Sequence, residues 1–201
     1  GTSAYAGAVA GTAVFQSVAA AGGSGVASVT NAGTITATAN AVAVGLIPTT
    51  GVATSSGGTT TTYAGVASAS ASAYGIGQFV NAASGSANVV NSGTLNVGAH
   101  ASASAGSTAS AFAYATGVWQ TVDPLALNFT NSGTINVNAA ALATAATGAA
   151  SASAIGYNGY AFGGGTETAT IVNSGAMNVS ATAVAPGTAN AFAEGIVLEN
   201  A

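Results

Sequence analysis

The stretch Asn91-Ser92-Gly93-Thr94-Leu95-Asn96-Val97-Gly98-Ala99-His100-Ala101-Ser102-Ala103-Ser104-Ala105 decides the fold. Leu95, Val97, Ala99, Ala101, Ala103 and Ala105 alternate with Asn96, Gly98, His100, Ser102 and Ser104. A period of two puts the first set on one face of a strand and the second on the other. Alanine favours helix, but a helix would spread these alanines over all its sides. It would also give no reason for a large residue to come first and small ones after it.

The same order recurs. Ile35, Ala37, Ala39, Ala41 and Ala43 follow Asn31-Ala32-Gly33. Ile135, Val137, Ala139, Ala141 and Ala143 follow Asn131-Ser132-Gly133, and Met177, Val179, Ala181, Ala183 and Ala185 follow Asn173-Ser174-Gly175. A second marker precedes each asparagine: Gln16, Gln78 and Gln120, with Asn158 in the fourth place. A turn follows each alanine run, at Ala105-Gly106-Ser107, Ala146-Thr147-Gly148 and Ala185-Pro186-Gly187, with the glycine and proline that turns use. A second alternating strand then runs back, as in Ala109-Ser110-Ala111-Phe112-Ala113-Tyr114-Ala115, and ends near Gly117-Val118.

Repeats of this length indicate stacked units that pair only with their neighbours. The expected fold is all-β: a β-solenoid of about four long imperfect repeats, with an alanine-rich interior. Sheets separated by leucine-sized residues lie about 10 Å apart, and alanine faces approach closer. A flattened wedge is therefore expected, wide at the Asn-x-Gly corner and narrow at the far turn. One domain, 1–201, is divided as a partial repeat 1–30, repeats 31–90, 91–130 and 131–172, and a partial repeat 173–201. The first full repeat is the longest. Its excess, near 46–64, is rich in Thr, Ser and Gly around Gly51 to Tyr63 and is read as a protruding loop. One broad rung per repeat and two shorter rungs both fit the pattern. The single Asn-x-Gly per repeat favours the first.

Asn31, Asn91, Asn131 and Asn173 are expected to form a structural ladder, amide to amide. Gly33, Gly93, Gly133 and Gly175 are expected to be turn glycines, using backbone angles that other residues resist. Tyr74, Phe112, Tyr114 and Phe192 fall out of phase with the inward alanines. With Trp119 they are candidate interface aromatics on the outer surface, because an exposed aromatic stripe marks an interface.

Composition bounds the function. The chain has 201 residues, no Lys or Arg, no Cys, and four acidic residues, Asp123, Glu167, Glu194 and Glu199. Nucleic-acid binding rests on Lys and Arg neutralising phosphates, so that class is excluded, and attraction to anionic lipid fails likewise. No apolar run reaches the length of a transmembrane helix. His100, the single histidine, sits among outward serines. No second His, Cys or acidic cluster joins it, so no metal or cofactor is expected. No acid–base pair or partnered nucleophile is visible, so no enzyme is expected. Gly163-Gly164-Gly165 lacks the Lys-Ser/Thr ending of a phosphate loop and reads as a flexible loop. Asn128-Phe129-Thr130 matches a glycosylation sequon, which chance explains. The chain starts at Gly1 without Met, as a processed chain or a fragment would. The missing Lys and Arg also remove every trypsin site.

The pattern Asn-Ser-Gly-Thr-Ile/Leu-Asn-Val, then Ala-x-Ala-x-Ala, then Ala-x-Gly-Ile/Val resembles repeats in the passenger regions of bacterial autotransporters and related surface proteins. The resemblance covers nearly the whole chain, through motifs of low complexity. It implies a bacterial cell-surface or extracellular protein with a β-helical stalk, serving as adhesin, fibre or biofilm material.

Two functions follow as expectations. One is a fibre subunit that stacks head-to-tail on copies of itself, since no Lys or Arg guards its end strands. The other is an adhesin module, meeting a host surface or glycan through the Gly51 to Tyr63 loop or the aromatics. Ice binding ranks below both, because Thr36 and Thr38 become Asn96 and Gly98, then Asn136 and Asn138.

Overall fold

Thr94 to Ser104 is a strand lying between two copies of the same motif, and both pairings are parallel. In the computed structural model of the chain, the described residues are 3–45, 65–123, 126–162 and 168–200. They form β1 (Ser3–Ala10), β2 (Val14–Asn31), β3 (Thr34–Val44), β4 (Val66–Asn91), β5 (Thr94–Ser104) and β6 (Thr108–Asp123). Then come β7 (Ala126–Asn131), β8 (Thr134–Thr144), β9 (Thr147–Ala161), β10 (Thr168–Asn173), β11 (Ala176–Val184) and β12 (Thr188–Asn200).

The result is an all-β, solenoid-like structure of parallel strands in two sheets. One sheet runs β11-β8-β5-β3, and each of its strands follows an Asn-x-Gly corner. The other runs β10-β7-β4-β6-β9-β12, with β1 and β2 also pairing on β4. β4 is long enough to pair with β6 through its first part and with β7 through its last. Asn31, Asn91, Asn131 and Asn173 are each other's register partners in turn, so each Asn-x-Gly copy advances by one strand position.

The two sheets close on each other through their small residues. Ala37, Ala39, Ala41 and Ala43, and Ala99, Ala101 and Ala103, belong to one core cluster with Ala67 to Ala73 and Ala109 to Ala115 of the returning strands. Larger members (Leu95, Ile135, Val89, Phe129 and Tyr157) complete that core. At the far turn the corner carbonyls pair along the stack: the Gly45 N–H donates to Ser104 O, and the Ala105 N–H to Thr144 O.

A second, smaller core was not anticipated from the pattern. Beyond Ile76, β4 continues outward through Val80 and Ala82, bends, and returns through Ala87 and Val89. Val80, Ala82 and Ala87 pack with Ala27, Val122, Leu127 and Ala161. Gly85 forms the bend of β4 at a φ of 134°, in the region that favours glycine. A Cβ there would also overlap the backbone of Gly25 in the strand beside it. The expected loop near 46–64, including Gly51 to Tyr63, lies outside the described residues. So do Gly163-Gly164-Gly165, Glu167, Pro124 and Leu125.

Candidate functional site

At the Asn corner the chain turns between the sheets, so buried polar groups must find partners there. Asn31 Nδ2 donates to Asn91 Oδ1 at 2.7 Å, Asn91 Nδ2 to Asn131 Oδ1 at 2.6 Å, and Asn131 Nδ2 to Asn173 Oδ1 at 2.7 Å. Every donor points toward the C-terminal coils. The second amide hydrogen of Asn131 reaches Ala176 O at 3.2 Å. The backbone pairs in the complementary sense: the N–H groups of Ser92 and Gly93 donate to Asn31 O, and that of Thr94 to Gly33 O. The same pattern repeats one level up and again at Ser174, Gly175 and Ala176.

The corner glycines have a different reason from the one expected. None of Gly33, Gly93, Gly133 and Gly175 has a positive φ; among the described residues, Gly22 and Gly85 do. What these positions require is close approach. A Cβ on Gly93 would overlap the Gly33 carbonyl, one on Gly133 the Gly93 carbonyl, and one on Gly175 the Gly133 carbonyl. A Cβ on Gly33 would meet nothing among the described residues.

A second amide column fills the lobe between the two cores. Gln78 Nε2 donates to Gln16 Oε1 and Gln120 Nε2 to Gln78 Oε1, both at 2.8 Å. These donors point toward the N-terminal coils, opposite to the asparagines. The same amides cross the lobe to backbone carbonyls of the returning strand, at Ser28, Asn88 and Asn128. Asn158 does not continue this column, because its register partner is Trp119 and that of Gln120 is Gly159. Tyr157, buried in the core, donates its hydroxyl to Gln120 Oε1 at 2.8 Å instead. Burial pushes the Tyr157 phenol well above its ordinary pKa. Its ring stacks on Phe129, centroids 4.5 Å apart. The signal was present in Gly156-Tyr157, which fills the slot of Gly75-Ile76 and Gly117-Val118.

The candidate aromatics divide. Phe112 and Phe192 are exposed and stand apart, with serines as their register neighbours at Ser70, Ser151 and Ser153. Tyr74, Tyr114 and Trp119 come together where the strand bends between Ala115 and Val118. There two residues rather than one separate successive inward positions, so Tyr114 before the bend and Trp119 after it both face outward. Tyr74 and Tyr114 lie 5.7 Å apart, ring to ring, and Trp119 stacks on Phe15 at 6.4 Å. Burial first, and then the Tyr114 phenol, raise the pKa of Tyr74. With Thr12, Thr116 and Asn158 these residues line a cleft of about 370 Å³.

Other sequence candidates stand alone. His100 is exposed, between Asn40 and Ala140 in register. Asn128 of the sequon is tied into a column, its Nδ2 donating to Asn88 Oδ1 at 2.8 Å. Outside the other sheet, Asn178 donates to Asn136 and Asn136 to Asn96. That column begins at Thr36, so it holds a single threonine. Among the described residues no three His, Cys, Asp or Glu side chains gather as a metal site, and no helix is long and apolar enough to cross a membrane. No protein-family model, curated protein or solved structure matches the chain.

Proposed function

We propose that this chain is a structural subunit or segment of an extracellular bacterial surface fibre that grows by head-to-tail stacking of solenoid ends. The unit is about four broad coils of flattened, wedge-shaped cross-section. The observation that carries this reading is the glycine at position 33. Gly93, Gly133 and Gly175 each face the carbonyl of the coil before them, whereas Gly33 faces nothing among the described residues. A copy stacked in register would put its Gly33 over Gly175 of the preceding copy, and the reason for glycine returns.

The edges support the same geometry. β1, β2 and β3 pair on one side, and β10, β11 and β12 on the other, among the described residues. At one edge Asn31 Oδ1 accepts from the Gly33 N–H at 3.2 Å and keeps a second lone pair for a further donor; the other edge carries the Asn173 amide donor. Unlike faces that fit each other make a heterologous contact, which generates open filaments. A stacked copy would also bring its own β1 to the edge of β9 that β12 occupies. One of the two strands must then yield, as in strand exchange.

The test is Gly33→Ala. Its methyl meets nothing among the described residues, so folding should be kept, while growth of filaments seen by electron microscopy should stop. Wild-type chain that stays as discrete particles at high concentration, or Gly33→Ala filaments equal to wild type, would overturn the proposal. Tethering β12 to β9 through an Asn190→Cys, Ser151→Cys disulfide then shows which strand yields, since those positions are register partners.

A further inference from the structure

We infer that the aromatic cleft on the outside of the large sheet is a binding site for a neutral carbohydrate. Four features carry this, and none depends on polymerisation.

The first is size and place. At about 370 Å³ the cleft falls within the roughly 300–1,000 Å³ of small-molecule sites. It sits at a bend of paired strands rather than on a loop. Tyr74, Tyr114, Thr116, Trp119 and Asn158 are thus fixed by the register of β4, β6 and β9, and Thr12 joins them from the link between β1 and β2.

The second is its lining. Three rings, Tyr74, Tyr114 and Trp119, supply the flat apolar faces on which the C–H faces of a pyranose rest. Trp119 stacks on Phe15, nearly parallel at 7°, which helps hold its orientation before any ligand arrives. Rigid aromatics lose little conformational freedom on binding.

The third is an unanswered hydroxyl. Thr116 is 2% exposed, lines the cleft, and has the one buried side-chain polar atom among the described residues without a hydrogen-bond partner. Its register neighbours, Tyr74 and Ile155, do not satisfy it. A buried hydroxyl left alone is costly, and a sugar hydroxyl, donor and acceptor at once, meets its need. Thr12 and Asn158 add neutral polar groups to the same wall.

The fourth is charge. No Lys or Arg exists in the chain, and no carboxylate lines the cleft. A phosphate, sulfate or uronate would lose its hydration with no counter-charge. A quaternary ammonium would suit the rings, but it would leave the Thr116 hydroxyl unpaired.

Trp119 is the chain's only tryptophan, so its fluorescence reports on this cleft alone. The purified chain is titrated with cellotetraose, maltotetraose, mannotetraose and chitotetraose. Tetragalacturonate and choline serve as comparison ligands. The expected result is a saturable change with at least one neutral oligosaccharide and none with the comparison ligands. Tyr114→Ala should weaken it about tenfold or more, and Thr116→Val several-fold. Thr116→Val removes the unpaired hydroxyl at constant shape, so its melting temperature should hold or rise while affinity drops. That combination separates a ligand contact from a merely structural role. Three results would overturn the inference: no saturable change with any of the four sugars, saturation by choline or tetragalacturonate alone, or unchanged affinity in a folded Thr116→Val.

Discussion

The Asn corner and the Gln lobe solve one problem in two ways. Both are columns of carboxamides inside a stack of parallel strands, and both satisfy buried polar groups with nearly identical bonds. The corner repeats Asn at all four levels, whereas the lobe changes from Gln to the hydroxyl of Tyr157 at the fourth. The difference lies in the backbone. At the corner Gly93, Gly133 and Gly175 each lie against the carbonyl of the glycine in the coil before it, so the main chain has no slack and the side chain no freedom of length. In the lobe the side chain spans a gap between outgoing and returning strands. Any donor that reaches Gln120 Oε1 will serve, even one placed two residues earlier in the register.

The comparison predicts a graded series, read by urea unfolding. Gly133→Ala, which drives a methyl into the Gly93 carbonyl, should cost at least about 3 kcal/mol or abolish folding. Gly33→Ala should stay within about 0.5 kcal/mol. Equal effects would show that the corner is not set by close approach. Asn131→Ala breaks the ladder at a fully buried level and should cost about 2.5 kcal/mol, against about 1 kcal/mol for exposed Asn173→Ala.

Gln120→Leu leaves Gln78 Oε1 and the Tyr157 hydroxyl without partners and should cost about 2 kcal/mol. Adding Tyr157→Phe to it should recover part of that loss, a coupling that a double-mutant cycle measures.

Tyr157→Phe alone is the mildest, about 1 kcal/mol at neutral pH, and its signature is pH dependence. The folded phenol titrates above its ordinary value of 10.0. Its contribution is therefore full below that value and is lost as the pH climbs through it toward the folded pKa. Stability of the wild type should fall more steeply above pH 10 than that of Tyr157→Phe. Parallel curves would place the hydroxyl elsewhere.

Much of this was legible because period two sorts side chains by face. Ala99, Ala101 and Ala103 could be assigned inward, and the recurring Asn gave candidates for one column. The lobe was not legible, because the recurring Gln was the one marker its segments share and the backbone around it is irregular. One strand bulges between Ala20 and Ser24, and its neighbour bends at Gly85. The cleft was hidden for a related reason. The alternation slips by one residue at the bend before Val118, so Tyr114 and Trp119 face the same way although their spacing in the sequence says otherwise. The role of the corner glycines was missed because a lone strand shows no clash. Only the neighbouring coil supplies the carbonyl that excludes a Cβ.

The opposite sense of the two amide columns has an electrical consequence. Each carboxamide carries a dipole along the stacking axis, and a column of like-oriented amides would add them coil by coil. Parallel sheets contribute little net moment themselves, so such a column would be felt at both tips. With Asn31, Asn91 and Asn131 donating one way and Gln78 and Gln120 the other, these two inner contributions oppose. In a chain without Lys or Arg to offset a charged tip, that opposition weakens the field that the buried Asn ladder alone would build along the axis.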